Sequence, residues 1–403
     1  MARQMKESGI DWIGRIPNEW HLAQLKRFVT VNNGREILEE IDKSDDAIPV
    51  YGSGGIFKYT SSYLYDGIAV LFGRKGTLGK PIMTNGKIWV VDTMYYLTYS
   101  PELDPKFNYF QLQCFDWVPH ITQTALPSIV ASEIVSCSFA FPPLWEQKKI
   151  ASFLEAELAK IDIVQRDTRF AIDEYKKLKQ SIIAEAVTKG IQHNRQMKPS
   201  GIDWIGKLPA DWKVQRGKRL FVETNERSID GHEELLTVSH ITGVTPRSMK
   251  NVNMFMAESL VDYKVCHIGD LAANTMWMWQ GAIGVSKYEG VISPSYNTYR
   301  QRNNSYYYGY LEYLLRIPDL VATYAAYSTG ITASRLRLYP DQFFSIMFPV
   351  PPMSEQKEIA DYLDKKCAEI DTLISKKTAL LEELERYKKS IIFEYITGKK
   401  EVQ

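Results

Sequence analysis

Among its 403 residues the chain has only four cysteines, Cys114, Cys137, Cys266 and Cys367, and no two of them form a CxxC pair. This spacing excludes a zinc ribbon and a disulfide framework, and implies four reduced, structural thiols. The six histidines, His21, His120, His193, His232, His240 and His267, include no HxxxH or HExxH, so no resident metal is expected. No run of 18 apolar residues occurs, and Met1 to Trp12 carries no apolar signal segment; a cytoplasmic chain without membrane contact is the expectation. Charge of one sign is also missing. With 49 basic against 48 acidic residues the net charge is +1, which excludes coating of nucleic acid by bulk charge and leaves only local segregation. No GxGxxG follows a strand, no GxxxxGK[ST] is present, and the two Pro-Pro pairs read FPPL and VPPM rather than [DN]PP[YF]. Neither nucleotide chemistry nor base methylation is therefore assigned to this chain.

What is present is an ordinary globular composition, 45% apolar and 24% charged, long enough for two to four domains. Aromatics reach 12%, which suits β-rich modules and flat recognition surfaces. The chain also repeats itself once. MKESGIDWIGRIPNEW at Met5 to Trp20 returns as MKPSGIDWIGKLPADW at Met197 to Trp212, and FPPLWEQKKIASFL at Phe141 to Leu154 returns as VPPMSEQKEIADYL at Val350 to Leu363. Between these anchors the two halves show no alignment, so the plan reads as shared frame, private insert, shared helix, twice over.

After each Pro-Pro pair comes a run of about 45 residues without Pro or interior Gly, rich in Glu, Lys, Ala, Leu and Ile, which predicts a long helix. Gly190 and Gly398 stand where each helix would stop. Heptad spacing places Leu154, Ile161, Tyr175 and Ile182 on one seam and Leu363, Ile370, Leu384 and Ile391 on the other. Leu158, Val164 and Leu178 interleave in the first, and Leu373, Leu380 and Tyr387 in the second. Such seams call for a partner helix, and the two are expected to pair as an antiparallel coiled coil.

Short strands with glycine turns predict compact α+β inserts. From Gly67 to Val91 the first insert carries Arg74, Lys75, Lys80 and Lys87 and no acid. Arg and Lys in a glycine turn can reach a phosphate or a guanine edge, and a plain surface turn fits them as well. The second insert reads LAANTMWMWQ at Leu271 to Gln280, then a run of tyrosines with Arg300 and Arg302, then STGITASRLRLYP at Ser328 to Pro340. This text suits a nucleic-acid groove or a β-sheet core equally. Pro340-Asp341 with Glu355 and Lys357 formally matches a PD…ExK nuclease set. Glu-Gln-Lys recurs at Glu146 to Lys148 in the first turn of the other long helix, where a carboxylate is expected to serve the helix N-terminus.

The duplicated GIDWIG, IP-x-EW or LP-x-DW, and PP-x-x-EQK-x-IA-x-[FY]L motifs closely resemble specificity subunits of type I restriction-modification enzymes, over essentially the whole chain. VYGSGG, GRKGTLGKP and VDTMYYL resemble one class of target recognition domain, and NTMWMWQGAIGVSKYEGVISPSYNTY with STGITASRLRLYP another. The resemblance implies an α+β chain with a pseudo-two-fold internal repeat. Two mixed α/β, β-rich recognition domains, residues 1–141 and 191–350, would be separated by coiled-coil spacer helices at 142–190 and 351–403. It implies that each insert reads one half of a bipartite, asymmetric site in double-stranded DNA, and that the helices hold the readers at a fixed spacing. Two modification subunits, which bind S-adenosylmethionine and methylate adenine, would dock on this frame, and two restriction subunits would join for ATP-driven translocation and cleavage. The chain itself would be non-catalytic and hold no cofactor, S-adenosylmethionine, ATP and Mg belonging to its partners. Candidate DNA contacts are Arg74, Lys75, Lys80 and Gln123 in the first reader, and Gln280, Lys287, Arg335 and Arg337 in the second. Two alternatives stay open on the residues alone: an adaptor with two ligand modules held apart by a coiled coil, and a nuclease using Asp341, Glu355 and Lys357.

Overall fold

The computed structural model describes residues 3–192, 194–250, 259–331 and 336–402. It divides into two units, Met1–Arg169 with Thr378–Gln403, and Phe170–Lys377. The division falls inside the two long helices, Leu144–Lys189 and Met353–Ile396. Each unit thus holds one insert, the start of one long helix and the end of the other. At 1.5 Å per residue these helices of 46 and 44 residues run roughly 65–70 Å. Among the described residues no helix is long and apolar enough to cross a membrane.

Inside each unit the two helix halves pair antiparallel. In the first, Lys388 bonds Asp162 at 2.6 Å and Gln165 bonds Glu385 at 3.2 Å; in the second, Lys179 bonds Asp371 at 2.6 Å and Lys377 lies over the Tyr175 ring. Partner numbers fall as residue numbers rise. Leu154, Ile161, Leu363, Ile370 and Ile391 are buried, and Tyr175, Ile182 and Leu384 half-buried. The interleaved expectation needs correction, because Val164, Leu178, Leu373, Leu380 and Tyr387 are exposed. The seam steps four then three from Leu154 through Leu158 to Ile161, so the next layer falls at Gln165, and likewise at Lys179, Ile374, Leu381 and Lys388. One residue of slip turns a side chain by about 100°. Several of these layers are polar, and their ion pairs and hydrogen bonds fix register, as polar seam positions do in coiled coils.

The frames fold alike. Met5–Glu7 pairs with Arg15–Pro17 and Met197–Pro199 with Lys207–Pro209, in the same register. The intervening GIDWIG turn needs left-handed backbone at both glycines, φ 69° and 69° at Gly9 and Gly14 and 70° and 68° at Gly201 and Gly206, which only glycine adopts without strain. His21–Gln24 then pairs with Ser138–Phe141, and Lys213–Arg216 with Met347–Val350, delivering the chain to each long helix.

The inserts, private in sequence, share one scaffold. In the first, Ile48–Gly52 pairs antiparallel with Gly55–Thr60 and parallel with Lys87–Val90, which also pairs with Tyr65–Asp66. A second sheet orders Val29–Asn33, Met94–Tyr99, Ala69–Gly73 and Ile82–Thr84. In the second insert Leu236–Ser239 pairs with Gly243–Pro246, Leu235 bridges Val291 in parallel, and Gly290–Ile292 pairs with Lys264–Cys266. Its other sheet orders Phe221–Thr224, Asn297–Gln301, Leu271–Ala273 and Ile283–Val285. Eight strands correspond one to one, in the same chain order. Ala69–Gly73 and Leu271–Ala273 are wholly buried, and a buried strand is satisfied by many apolar residue sets, which is why the scaffold survives where the alignment does not. Burial pushes the Cys114 and Cys266 thiols up to about 12, and all four cysteines are unpaired.

Candidate nucleic-acid interface

In the first unit the turn between Ala69–Gly73 and Ile82–Thr84 is tied down by its backbone. The N–H groups of Arg74 and Lys75 donate to Thr93 O at 2.8 and 3.1 Å, Thr77 N–H donates to Ser53 Oγ, and Arg74 O accepts from Ile129 N–H at 3.0 Å. A Cβ on Gly73 would stand 2.5 Å from Thr77 O, so only glycine allows the turn to close this tightly. The side chains of Arg74 and Lys75 are left exposed, and neither has an ion-pair partner among the described residues. Lys75 also bridges Ser128. Ser128 belongs to the small hairpin of Ile121–Thr122 and Ser128–Ile129, whose exposed loop carries Gln123. The fold thus gathers Arg74, Lys75 and Gln123 on one rim: two free cations and an amide held on a fixed backbone, able to meet phosphate and base edge together. Lys80 is not on that rim. It lines a cleft beside the long helices with Glu155, Asp162 and Glu385.

In the second unit the candidates are dispersed. Gln280 is half-buried at the end of the short 3-10 turn Met278–Gln280. Lys287 lies beyond the other end of Ile283–Val285, facing Glu312, whose carboxyl burial pushes up against the pull of Arg316, the Val285 N–H and Lys287 itself. Arg337 is half-buried, pairs by backbone with Thr329 and donates from its guanidinium to Leu336 O. Arg335 lies outside the described residues. Much of the tyrosine-rich text is core, although Tyr307 and Tyr308 are exposed. Tyr299, Tyr306 and Tyr310 are buried, the last two donating to Pro349 O and Val187 O; Arg300 forks onto Asp270 at 2.8 Å, and Arg302 donates to Lys218 O and Phe221 O.

Two further clusters stand out in the structure, the second within text already quoted from the sequence. The first is a buried node present once in each unit. Glu146 accepts from the Trp20 indole at 3.2 Å and from Arg3 at 2.7 and 3.1 Å; Glu355 accepts from the Trp212 indole at 2.8 Å and from Arg195. Both carboxylates stand in the first turn of their long helix, as expected, and from there they also clamp the frame's Trp and Arg to the helix start. Glu355 is thereby occupied by the Trp212 indole and Arg195, and Lys357 lies over the Tyr307 ring. Neighbouring Gln147 and Gln356 donate to Pro142 O and Pro351 O and accept from Asp104 N–H and Tyr307 N–H, stitching insert to helix. A signal for the node existed, since Arg3-Gln4 and Arg195-Gln196 extend the frame repeat two residues upstream. The second cluster is the loop between Leu271–Ala273 and Ile283–Val285, where Met276 and Trp277 are 40% and 48% exposed. Among the described residues no group of three His, Cys, Asp or Glu side chains could hold a metal.

The family model described as type I restriction modification DNA specificity domain matches residues 17–169 and 249–385. The putative type I restriction enzyme MjaX specificity subunit of Methanocaldococcus jannaschii is 24% identical over 436 residues, covering 96% of this chain and 95% of its own length. A solved chain from work on complex assembly and conformational transition of the type I R-M system aligns with a TM-score of 0.71 at 15% identity, over 96% of this chain and 99% of that one. The HsdS subunit from Thermoanaerobacter tengcongensis aligns at 0.53 and 16% identity, over 98% and 100%. With a duplicated frame, a duplicated scaffold and a match of the family model to each half, the chain belongs to the type I restriction-modification DNA specificity subunits.

Proposed function

We propose that each insert reads one half of a bipartite, asymmetric DNA site and that the paired helices set the distance between the halves. The observation that carries this reading is one scaffold used twice with different loops at equivalent positions. Two identical frames suit two identical partners, and two unlike loops suit two unlike sequences. Readers on one face of B-DNA must meet grooves about 34 Å apart or a multiple of it, which a stiff helical spacer can hold. Two modification subunits dock on the frames, two restriction subunits can join them, and the chain itself is non-catalytic, with S-adenosylmethionine, ATP and Mg acting in those partners. In the first reader Arg74, Lys75 and Gln123 make the contacts, with Lys80 nearer the helices; in the second, Gln280, Lys287, Arg335 and Arg337 are the polar candidates. Leu154, Ile161, Tyr175, Ile182, Leu363, Ile370, Leu384 and Ile391 form the spacer seam.

A net charge of +1 supplies little general attraction to a polyanion, so the isolated chain binds DNA weakly and modification subunits restore tight, selective binding. Methylation mapping in a host with and without the intact gene tests the reading: a new two-part methylated adenine motif is expected, and a single continuous motif, or none with active modification subunits, contradicts it.

A further inference from the structure

Resting on that reading, we propose that the second insert reads its half-site by apolar contact with bases, Met276 and Trp277 being the specificity-determining side chains. Strand register locates the equivalence. In the first insert Tyr99 faces Val29 and Tyr95 faces Phe72; in the second, Gln301 faces Phe221 and Asn297 faces Ala273. Phe72 and Ala273 therefore occupy the same place, and two residues on, Arg74 and Lys75 correspond to Thr275 and Met276. Where the first reader presents two cations, the second presents a loop, residues 274–282, without a single charge. Met276 and Trp277 project from it 40% and 48% exposed, an apolar tip on an otherwise hydrogen-bonded turn.

The loop is rigid. Thr275 Oγ1 donates to Ser295 O at 2.8 Å, Asn274 Nδ2 donates to Tyr296 Oη at 2.8 Å, and Asn274 Oδ1 accepts from Met276 N–H. The Trp279 indole donates to Met276 O at 3.1 Å and lies nearly parallel to Trp277, their planes 14° apart. Gly281, φ 86°, closes the turn against Val321 of helix Pro318–Tyr327. None of these bonds uses the Trp277 side chain, so it is held out by its neighbours rather than spent on holding them. A preorganised aromatic on a fixed loop is the composition of a binding hot spot. The apolar surfaces a duplex offers are thymine methyls in the major groove and base faces at an opened step.

The test uses the full chain with its modification subunits on a duplex carrying the mapped site. Trp277→Ala and Met276→Ala should each weaken cognate binding roughly 10- to 100-fold while leaving binding to a duplex with a scrambled second half-site unchanged. In the unaltered complex, uracil in place of each thymine of the second half separates the two sources. Severalfold weakening marks a methyl contact; no weakening, with a Trp277-dependent bend in end-to-end fluorescence, marks a base-step contact. The inference is overturned if both variants keep cognate affinity and discrimination, or if they lose subunit assembly with discrimination intact, which would assign the tip to a protein partner. Arg74→Ala serves as comparator: if it still alters the first half only, the loss is confined to this inference, and if no variant acts on either half, the two-reader function fails as well.

Discussion

Glu355→Ala takes the acceptor away from two buried donors at once, the Trp212 indole N–H at 2.8 Å and the Arg195 guanidinium. The side chains of Arg195 and Glu355 are 15% and 7% exposed, and Trp212 is fully buried, so solvent cannot replace what is lost. Breaking a buried ion pair by removing one partner costs about 3–5 kcal/mol, because the remaining charge is stranded. Asp211 holds Arg195 at 2.7 Å from its exposed side, which keeps the expected cost toward the lower end of that range. Glu355→Gln keeps an acceptor for the indole and removes only the charge, so it should cost about 1–2 kcal/mol. For a unit of this size each kcal/mol lowers the melting temperature roughly 2–4 °C. Thermal unfolding of both variants, with Glu146→Ala as the matching change in the other unit, gives the order wild type, Gln, Ala and similar losses at the two nodes. Equal costs for Gln and Ala, or a loss below about 1 kcal/mol, would refute the clamp.

Gly190→Ala places a Cβ at φ 76°, 2.7 Å from Glu355 Oε1 and 2.9 Å from Arg195 Nη1, whereas Gly9→Ala has φ 69° and nothing within 4 Å. Denaturant unfolding should show about 1 kcal/mol lost at Gly9 from backbone strain and at least 1 kcal/mol more at Gly190; equal losses would mean the node yields freely. His267 bridges Glu226 at 3.0 Å and Glu289 at 2.8 Å, and the Glu226 hydrogen bond, with that of Glu289, raises its imidazole above the ordinary value against partial burial. Its contribution is therefore fully present below about pH 6.5 and lost as pH rises through the raised folded value. With the side chain 38% exposed, screening holds it under about 1 kcal/mol. His267→Gln should be less stable than wild type at pH 5.5 and equal to it at pH 8.5; a difference independent of pH would assign the role to packing. Arg74→Ala and Lys75→Ala should each lower affinity for the first half-site by about 1–3 kcal/mol, and a phosphate contact would also reduce the salt slope by about one; titrations at several salt concentrations would contradict this if both variants match wild type.

The duplication was legible because its frame is held by residues that tolerate little change. Only glycine suits the backbone at Gly9, Gly14, Gly201 and Gly206, and only Trp, Glu and Gln complete the node and its stitches. The long helices were legible from composition, yet their seam was misplaced by one residue where an apolar side chain stood beside a polar layer, as Val164 stands beside Gln165 and Leu178 beside Lys179. A periodicity count rewards apolarity, whereas the seam here spends several layers on hydrogen bonds and ion pairs that only the partner helix makes evident. The shared scaffold of the inserts was invisible for the opposite reason: buried strands accept any set of apolar residues of suitable volume, so Ala69–Gly73 and Leu271–Ala273 keep their pairing without keeping their text. Candidate contacts divide along the same line. Arg74 and Lys75 were named for their charge in a glycine turn, and the fold leaves both side chains exposed. Arg300 and Arg302 stayed open between groove and core because arginine also serves buried carboxylates and carbonyls, and the NTMWMWQ text was quoted as a motif without its showing which side chains stand exposed. By strand register the loop that carries two cations in one reader carries exposed methionine and tryptophan in the other, so position rather than composition marks the recognition loop, and the chemistry of recognition is expected to differ accordingly.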